Sequence, residues 1–191
     1  MVFLVLGLVL FIGTHSISII APQLRERAIA RLGANQWRGL YSLLSLSGLV
    51  LLIWGYGVAR ETPVIVWDPP LFTRHITLTL MLFVFPLLFA AYMPGRIKKA
   101  AKHPMLLAVK IWAFSHLLAN GTLADMVLFG ALLAWAVVAR IAAKKRPLTV
   151  DVDLKARPLN DLLAVGLGLA VYLVMLFYLH EVLIGVSPLA L

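Results

Sequence analysis

Six long apolar stretches constrain the fold of this chain more than any other feature of its sequence. They cover roughly residues 2 to 21, 39 to 59, 75 to 94, 104 to 120, 123 to 142 and 160 to 180. A helix needs about 20 apolar residues to cross the hydrocarbon core of a bilayer. Within 191 residues, such stretches leave little chain for a soluble domain. The sequence therefore predicts an all-α, polytopic membrane helix bundle with about six transmembrane helices, folded as one domain over residues 1–191.

The charged residues lie mainly between these stretches and predict how the helices are oriented. Charged residues make up 13% of the chain, hydrophobic residues make up 62%, and the formal net charge is +9. The first, third and fifth loops are basic, whereas the second and fourth are not. By the positive-inside rule the odd loops face the cytoplasm and both termini are non-cytoplasmic. The net charge is then an orientation signal, and no nucleic-acid partner is expected.

Three connecting segments depart from plain spanning helix. Residues 22 to 38 place Leu24, Ala28, Leu32 and Trp37 against basic residues, which suits either an amphipathic helix at the cytoplasmic surface or a solvated connector. Residues 60 to 74 contain three prolines and cannot form a continuous helix. Residues 146 to 158 are polar and bracketed by prolines, which predicts a cytoplasmic loop.

Two of the five histidines, His15 and His116, have apolar sequence on both sides. An isolated intramembrane histidine is usually neutral and hydrogen-bonded to a neighbouring helix. A pair of histidines from facing helices is, alternatively, how a helix bundle typically holds a haem iron. The chain has no cysteine, so any metal must be bound by histidine, carboxylate or methionine.

The stretch HLLANGTLAD, residues 116 to 125, concentrates polar residues between two apolar segments. Trp112, His116 and Asn120 are spaced by four and share one helix face. Asn120 and the glycine after it are a turn pair that tolerates positive φ, which predicts the end of this helix. Thr122 and Asp125 have the spacing of a capping box for the next helix. Alternatively, Asn120 and Asp125 point into the same pocket as His116, where Asp125 orients an imidazole or transfers a proton.

Residues 13–57 and 103–135 resemble the NnrU family of bacterial membrane proteins, and the resemblance covers most of the chain. The family takes its name from an association with nitrite and nitric oxide reduction. Its relatives include the 15-cis-zeta-carotene isomerase, which uses a haem b to isomerise a double bond in a polyene. The resemblance thus implies a multi-pass protein of the bacterial inner (cytoplasmic) membrane with haem b as its cofactor.

The same resemblance implies which residues bind the iron. In that isomerase the ligands lie in an HS motif of an early helix and at the second histidine of an HP…H stretch. These motifs match His15-Ser16 and His103-Pro104…His116, so His15 and His116 are the expected metal ligands. Trp112 is expected to join them in cofactor binding, and Asp125 and Asn120 are the candidate catalytic residues. A cysteine near the later histidine can exchange as ligand in that isomerase, whereas this chain has no cysteine, which excludes a thiolate ligand.

Three functions remain open at this point. The first is a haem b protein with redox-dependent, isomerase-like chemistry on a lipophilic, polyene-type substrate, or with a role in nitrite or nitric oxide metabolism. The second is a non-enzymatic membrane factor that assists assembly or supply of a respiratory or denitrification complex. The third is a transporter of a small apolar or anionic compound. The expected partners are membrane lipids, a lipophilic small molecule and, for the second function, the respiratory or denitrification complex.

Overall fold

The computed structural model describes residues 1–145 and 157–189, and within these ranges the chain is almost entirely helical. The helices are α1 (Val2–Ile20), α2 (Pro22–Leu32), α3 (Ala34–Glu61), α4 (Leu71–Met81), α5 (Val84–Tyr92), α6 (Arg96–Ala101), α7 (Pro104–Ala119), α8 (Leu123–Lys144), α9 (Pro158–Val174), a π-helical turn (Met175–Leu179) and α10 (His180–Ile184). Most of the polar loop predicted over residues 146 to 158 lies outside the described residues.

The six predicted apolar helices are all present, and the all-α membrane fold class is confirmed. Five helical stretches are long and apolar enough to cross a membrane: 2–20, 34–61, 71–92, 123–144 and 158–184. The sixth, α7, has 16 residues and is shorter. Many large apolar side chains on these helices are exposed, among them Val9, Leu43 and Leu162. Such surfaces suit contact with lipid, as expected for a multi-pass membrane protein.

The helix starts differ from the predicted ones because polar residues can occupy the first turn of a membrane helix. α3 begins at Ala34 instead of residue 39, and α4 begins at Leu71 instead of residue 75. Within residues 22 to 38, Pro22–Leu32 form the helix α2, as the first of the two interpretations requires, while its location at the cytoplasmic surface stays a prediction. Gly33, with φ of +85°, separates α2 from α3 in a conformation that favours glycine. No helix covers residues 62–70, which confirms the break predicted from the prolines.

The helices group into two compact units. The first consists of Met1–Pro69 and Asn120–Ala143 and contains α1, α2, α3 and nearly all of α8. The second consists of Pro70–Ala119 and the chain from Lys144 onward, and it contains α4 to α7, α9 and α10. The single domain expected over residues 1–191 stays a prediction.

In the first unit, α1 and α3 pack antiparallel with their backbones in contact. A Cβ atom at Gly55 would lie 2.8 Å from the Leu4 Cα, and a Cβ atom at Gly7 would lie 2.6 Å from the Leu52 Cα. Cβ atoms in proteins essentially never approach other atoms this closely. In lipid there is no hydrophobic driving force that holds two helices together, so close van der Waals contact between them has to do so. Small residues at such crossings allow that contact.

In the second unit, α5 and α7 pack around a core formed by Val84, Leu87 and Ala108. Side-chain hydrogen bonds to free backbone groups tie further helices to this core. The Tyr172 hydroxyl of α9 donates to the Leu78 carbonyl at 3.1 Å. The Asp161 carboxylate of α9 accepts from the first two backbone N–H groups of α6 at 2.9 and 3.0 Å, which satisfies donors that a helix start leaves unpaired.

Candidate functional site

His15 lies on α1 with a fixed ring orientation. Its Nδ1 is 2.8 Å from the carbonyl oxygen of Phe11, one turn earlier on the same helix. A carbonyl oxygen can only accept, so Nδ1 is the donor, and in the neutral tautomer with this hydrogen bond the lone pair lies on Nε2. This is the tautomer that metal-binding histidines adopt when Nε2 is the ligand atom, because the other ring nitrogen then donates to a backbone carbonyl or carboxylate.

Three aromatic rings surround the His15 imidazole. Phe11 of α1 lies 4.3 Å from it between ring centroids, Tyr41 of α3 lies at 5.6 Å and Trp135 of α8 lies at 5.9 Å. The Trp135 Nε1 atom is buried and, among the described residues, has no hydrogen-bond acceptor. A buried N–H group without an acceptor is costly and rare in proteins, and a bound molecule with an acceptor atom is one explanation for it.

Sequence reasoning did not identify these aromatic neighbours. Phe11 precedes His15 by four residues, so helical spacing could have shown it. Tyr41 and Trp135 reach His15 only because α3 and α8 pack beside α1, and no local pattern carries that information.

His116 repeats the geometry of His15 on α7. Its Nδ1 is 2.8 Å from the carbonyl oxygen of Trp112, and the two rings lie 5.1 Å apart between centroids. The predicted shared face of Trp112 and His116 is confirmed, and Trp112 also packs against the core of the second unit. Asn120 is the first residue after α7, which ends at Ala119, so its place on this helix face stays a prediction. His15 belongs to the first unit and His116 to the second.

Residues 64–67 and 120–123 form a short pairing of extended backbone, which we call the clasp. The Val66 and Trp67 N–H groups donate to the Gly121 carbonyl at 2.8 and 3.2 Å, and the Leu123 N–H donates to the Val64 carbonyl at 2.7 Å. The 16 residues of α7 span only about 24 Å, short of a hydrocarbon core of about 30 Å. A helix of this length that starts at one membrane surface ends before it reaches the other, and non-helical backbone in lipid needs hydrogen-bond partners. The clasp provides them.

The helix end predicted at Asn120 and Gly121 is confirmed, since α7 ends at Ala119, but the positive φ predicted for this pair is wrong. Within the described part of the chain, positive φ occurs at Gly33, Lys102 and Gly185 and not at this pair. Glycine is required at 121 for a different reason, since a Cβ atom there would collide with the Trp67 carbonyl oxygen. The Asn120 carbonyl accepts a hydrogen bond from the Trp67 indole N–H at 3.2 Å. Asn120 thus has a structural role in the clasp, while its catalytic role stays a prediction.

Asp125 is buried, with 4% of its surface exposed, and its carboxylate accepts three hydrogen bonds. Oδ2 accepts from the Thr122 N–H at 3.0 Å and from the Thr122 hydroxyl at 2.7 Å, while the Asp125 N–H donates back to that hydroxyl at 3.3 Å. The capping box predicted from the spacing of Thr122 and Asp125 is confirmed. Oδ1 accepts from the Tyr56 hydroxyl of α3 at 2.6 Å. Asp125 therefore ties α3 to α8, and its proposed part in catalysis stays a prediction.

The remaining histidines occupy helix ends. His75 is exposed near the start of α4, and His103 precedes the first residue of α7. His180 begins α10, and its Nδ1 donates to the Val186 carbonyl at 2.6 Å, in the turn that follows that helix. Over residues 1–145 and 157–189, no three side chains of the types His, Asp and Glu gather as a potential metal site.

Comparison with known proteins identifies one family. The family model described as NnrU protein matches residues 3–188, which is nearly the whole chain. No curated protein and no solved structure shows a significant match. Six apolar helices in the described part of the chain and a family match of this extent lead to one conclusion: the chain is a multi-pass membrane protein that belongs to the NnrU family.

Proposed function

We propose that this protein binds haem b through His15 and His116 and acts in redox-dependent chemistry at the bacterial inner membrane. The observation that carries this proposal is the matched geometry of the two imidazoles. Each lies on its own membrane helix, and each donates its Nδ1 proton to the carbonyl four residues earlier at 2.8 Å. In a neutral imidazole this hydrogen bond places the lone pair on Nε2, which is the nitrogen through which each ring would bind iron in this proposal.

The surrounding residues fit a large apolar cofactor. Phe11, Tyr41 and Trp135 give His15 an aromatic surrounding, and Trp112 provides one beside His116. Aromatic and apolar surfaces exclude water and hold flat ring systems, and the Trp135 N–H group is available to an acceptor on a bound molecule. When bound, haem supplies an iron whose oxidation state can change, and the axial ligands and local polarity tune its potential.

Family membership and the lipid surroundings of the protein support the substrate class that we propose. The NnrU family is linked to nitrite and nitric oxide reduction, and its relative acts on a polyene. Lipophilic compounds dissolve in the bilayer, so a protein embedded in lipid can bind them there. We therefore favour isomerase-like chemistry on a polyene-type compound or a redox step connected with nitrogen oxides. Because the chain has no cysteine, His15 and His116 would have to provide any ligand exchange at the iron without a thiolate.

The absorption spectrum of the purified wild-type protein tests this proposal. Protein from haem-replete cells, extracted in a mild detergent, is expected to show a Soret band and a haem b content near one per chain by pyridine haemochrome assay. A colourless protein that also fails to take up added haemin would contradict the proposal.

A second candidate function has support from the family name alone. In this alternative, the protein is a non-enzymatic factor that helps assemble or supply a respiratory or denitrification complex. Haem-free protein that co-purifies in stable amount with subunits of such a complex would favour this alternative. Stoichiometric haem with no stable partner would favour the first proposal.

A further inference from the structure

A cavity of about 450 Å³ lies among α1, α2 and α3 in the first unit. Its polar wall is basic: Arg25 of α2 and Arg38 of α3 line it, together with the Ser42 hydroxyl. Its apolar wall includes Ile17 of α1 and Ile29 of α2. The cavity is therefore amphipathic, with two guanidinium groups beside an aliphatic surface.

The charge of this cavity is not compensated within the described chain. Arg25 and Arg38 form no ion pair with a described carboxylate. The segment around them holds Arg27 and Arg31 as well, against the single acid Glu26. Guanidinium groups bind phosphate oxygens in a bidentate manner, which makes a phosphate monoanion the chemically matched ligand.

The position of the cavity favours a lipid as the source of that phosphate. α2 is the amphipathic helix between two membrane spans, and its Leu24 and Leu32 side chains remain exposed, as expected of an apolar face turned to the membrane surface. Trp37 and Tyr41, which also line the cavity, are residue types that prefer the headgroup level of a bilayer. Free phosphate would use the arginines but not the aliphatic wall.

We propose that this cavity binds one anionic phospholipid. Arg25 and Arg38 bind its phosphate, the Ser42 hydroxyl donates a hydrogen bond to it, and an acyl chain lies along Ile17 and Ile29. Tyr41 lines the cavity and also contacts the His15 ring, so the lipid site and His15 share a wall. The proposal does not depend on haem, because the cavity and its charges belong to the first unit alone.

Native mass spectrometry of delipidated protein in a neutral detergent tests the proposal. The protein is titrated with short-chain phosphatidylglycerol, with phosphatidylcholine of the same chain length, and with inorganic phosphate. We expect one phosphatidylglycerol to bind per chain, at least about tenfold more tightly than phosphatidylcholine, since each basic residue near a membrane surface contributes about 1 kcal/mol toward an anionic lipid. Equal binding of the two lipids, or phosphate binding as tight as that of phosphatidylglycerol, would overturn the proposal.

Two double variants with the same loss of charge provide the matched comparison. Arg25→Gln with Arg38→Gln removes both guanidinium groups of the cavity, whereas Arg27→Gln with Arg31→Gln changes two arginines that do not line it. Only the first pair is expected to weaken phosphatidylglycerol binding about tenfold or more. Equal weakening in both would mean that net charge, and not this cavity, attracts the lipid. Loss of haem with lipid binding intact in the first variant would show that the arginines serve a different anion, and this would also overturn the proposal.

Discussion

Replacing Gly55 by valine is expected to separate α1 from α3 and to abolish folding of the first unit or destabilise it severely. At Gly55 the obstacle to a side chain is the backbone of Leu4 and Phe3, which cannot move aside by changing rotamer. Overpacking in a core that can adjust costs about 1–3 kcal/mol. A collision with backbone at a helix crossing allows less adjustment, so we expect a loss of at least about 3 kcal/mol.

Gly57 of the same helix is the matched control. It is exposed, and a Cβ atom there would have no neighbour within 4 Å. Thermal unfolding in detergent, followed by circular dichroism and size-exclusion chromatography, compares the two variants. Gly57→Val is expected to unfold at the wild-type midpoint, while Gly55→Val is expected to aggregate or to unfold far earlier. Equal midpoints for the two variants would show that α1 and α3 do not cross in contact as described.

Asp125→Ala is expected to have the second largest effect on stability. The substitution removes the acceptor for the Thr122 N–H, the Thr122 hydroxyl and the Tyr56 hydroxyl. A buried donor left without a partner costs about 1–3 kcal/mol. The Thr122 hydroxyl can rotate, so we count only the two other donors, and we expect a loss of about 2–6 kcal/mol. Unfolding by sodium dodecyl sulfate in mixed micelles measures this loss.

Two milder variants separate the structural role of Asp125 from a catalytic one. Tyr56→Phe removes only the bond to α3 and is expected to cost about 1–2 kcal/mol. Asp125→Asn keeps one carbonyl oxygen for the Thr122 N–H and is expected to fall between Tyr56→Phe and Asp125→Ala. If Asp125 acts only as cap and tether, the folded Asp125→Asn protein retains the wild-type haem content and redox potential. A changed redox potential in well-folded Asp125→Asn protein would instead support the interpretation in which Asp125 points into the same pocket as His116.

The helices could be predicted because they depend on local properties of the chain. A run of about 20 apolar residues is sufficient to indicate a spanning helix, and the spacing of Thr122 and Asp125 was sufficient to indicate the capping box that the structure contains. The prolines at 63, 69 and 70 likewise marked the break between α3 and α4. The predicted starts of α3 and α4 were four or five residues too late, because ANQWR contains polar residues and LFTR directly follows the prolines, so both segments were assigned to loops although they begin the helices.

The rest of the site depends on contacts between distant parts of the chain. Tyr56 reaches Asp125 across 69 residues, and Trp67 reaches Asn120 across 53. Glycine is needed at 121 because the Trp67 backbone comes close to it. The sequence argument gave a different reason, a positive φ, because it considered only the turn propensity of the residue pair. Tyr41 and Trp135 likewise contact His15 because of how their helices pack, which spacing along the sequence does not show.

Haem binding in histidine variants tests the central claim, that His15 and His116 hold a common iron, most directly. His15→Ala and His116→Ala, purified as folded protein, are expected each to lose the Soret band or to show a high-spin spectrum in place of a low-spin one. His180→Ala is the matched control, because His180 also donates through Nδ1 but lies at the start of α10, far along the chain from both proposed ligands. Its spectrum is expected to match the wild type. Wild-type spectra in both His15→Ala and His116→Ala would contradict the account.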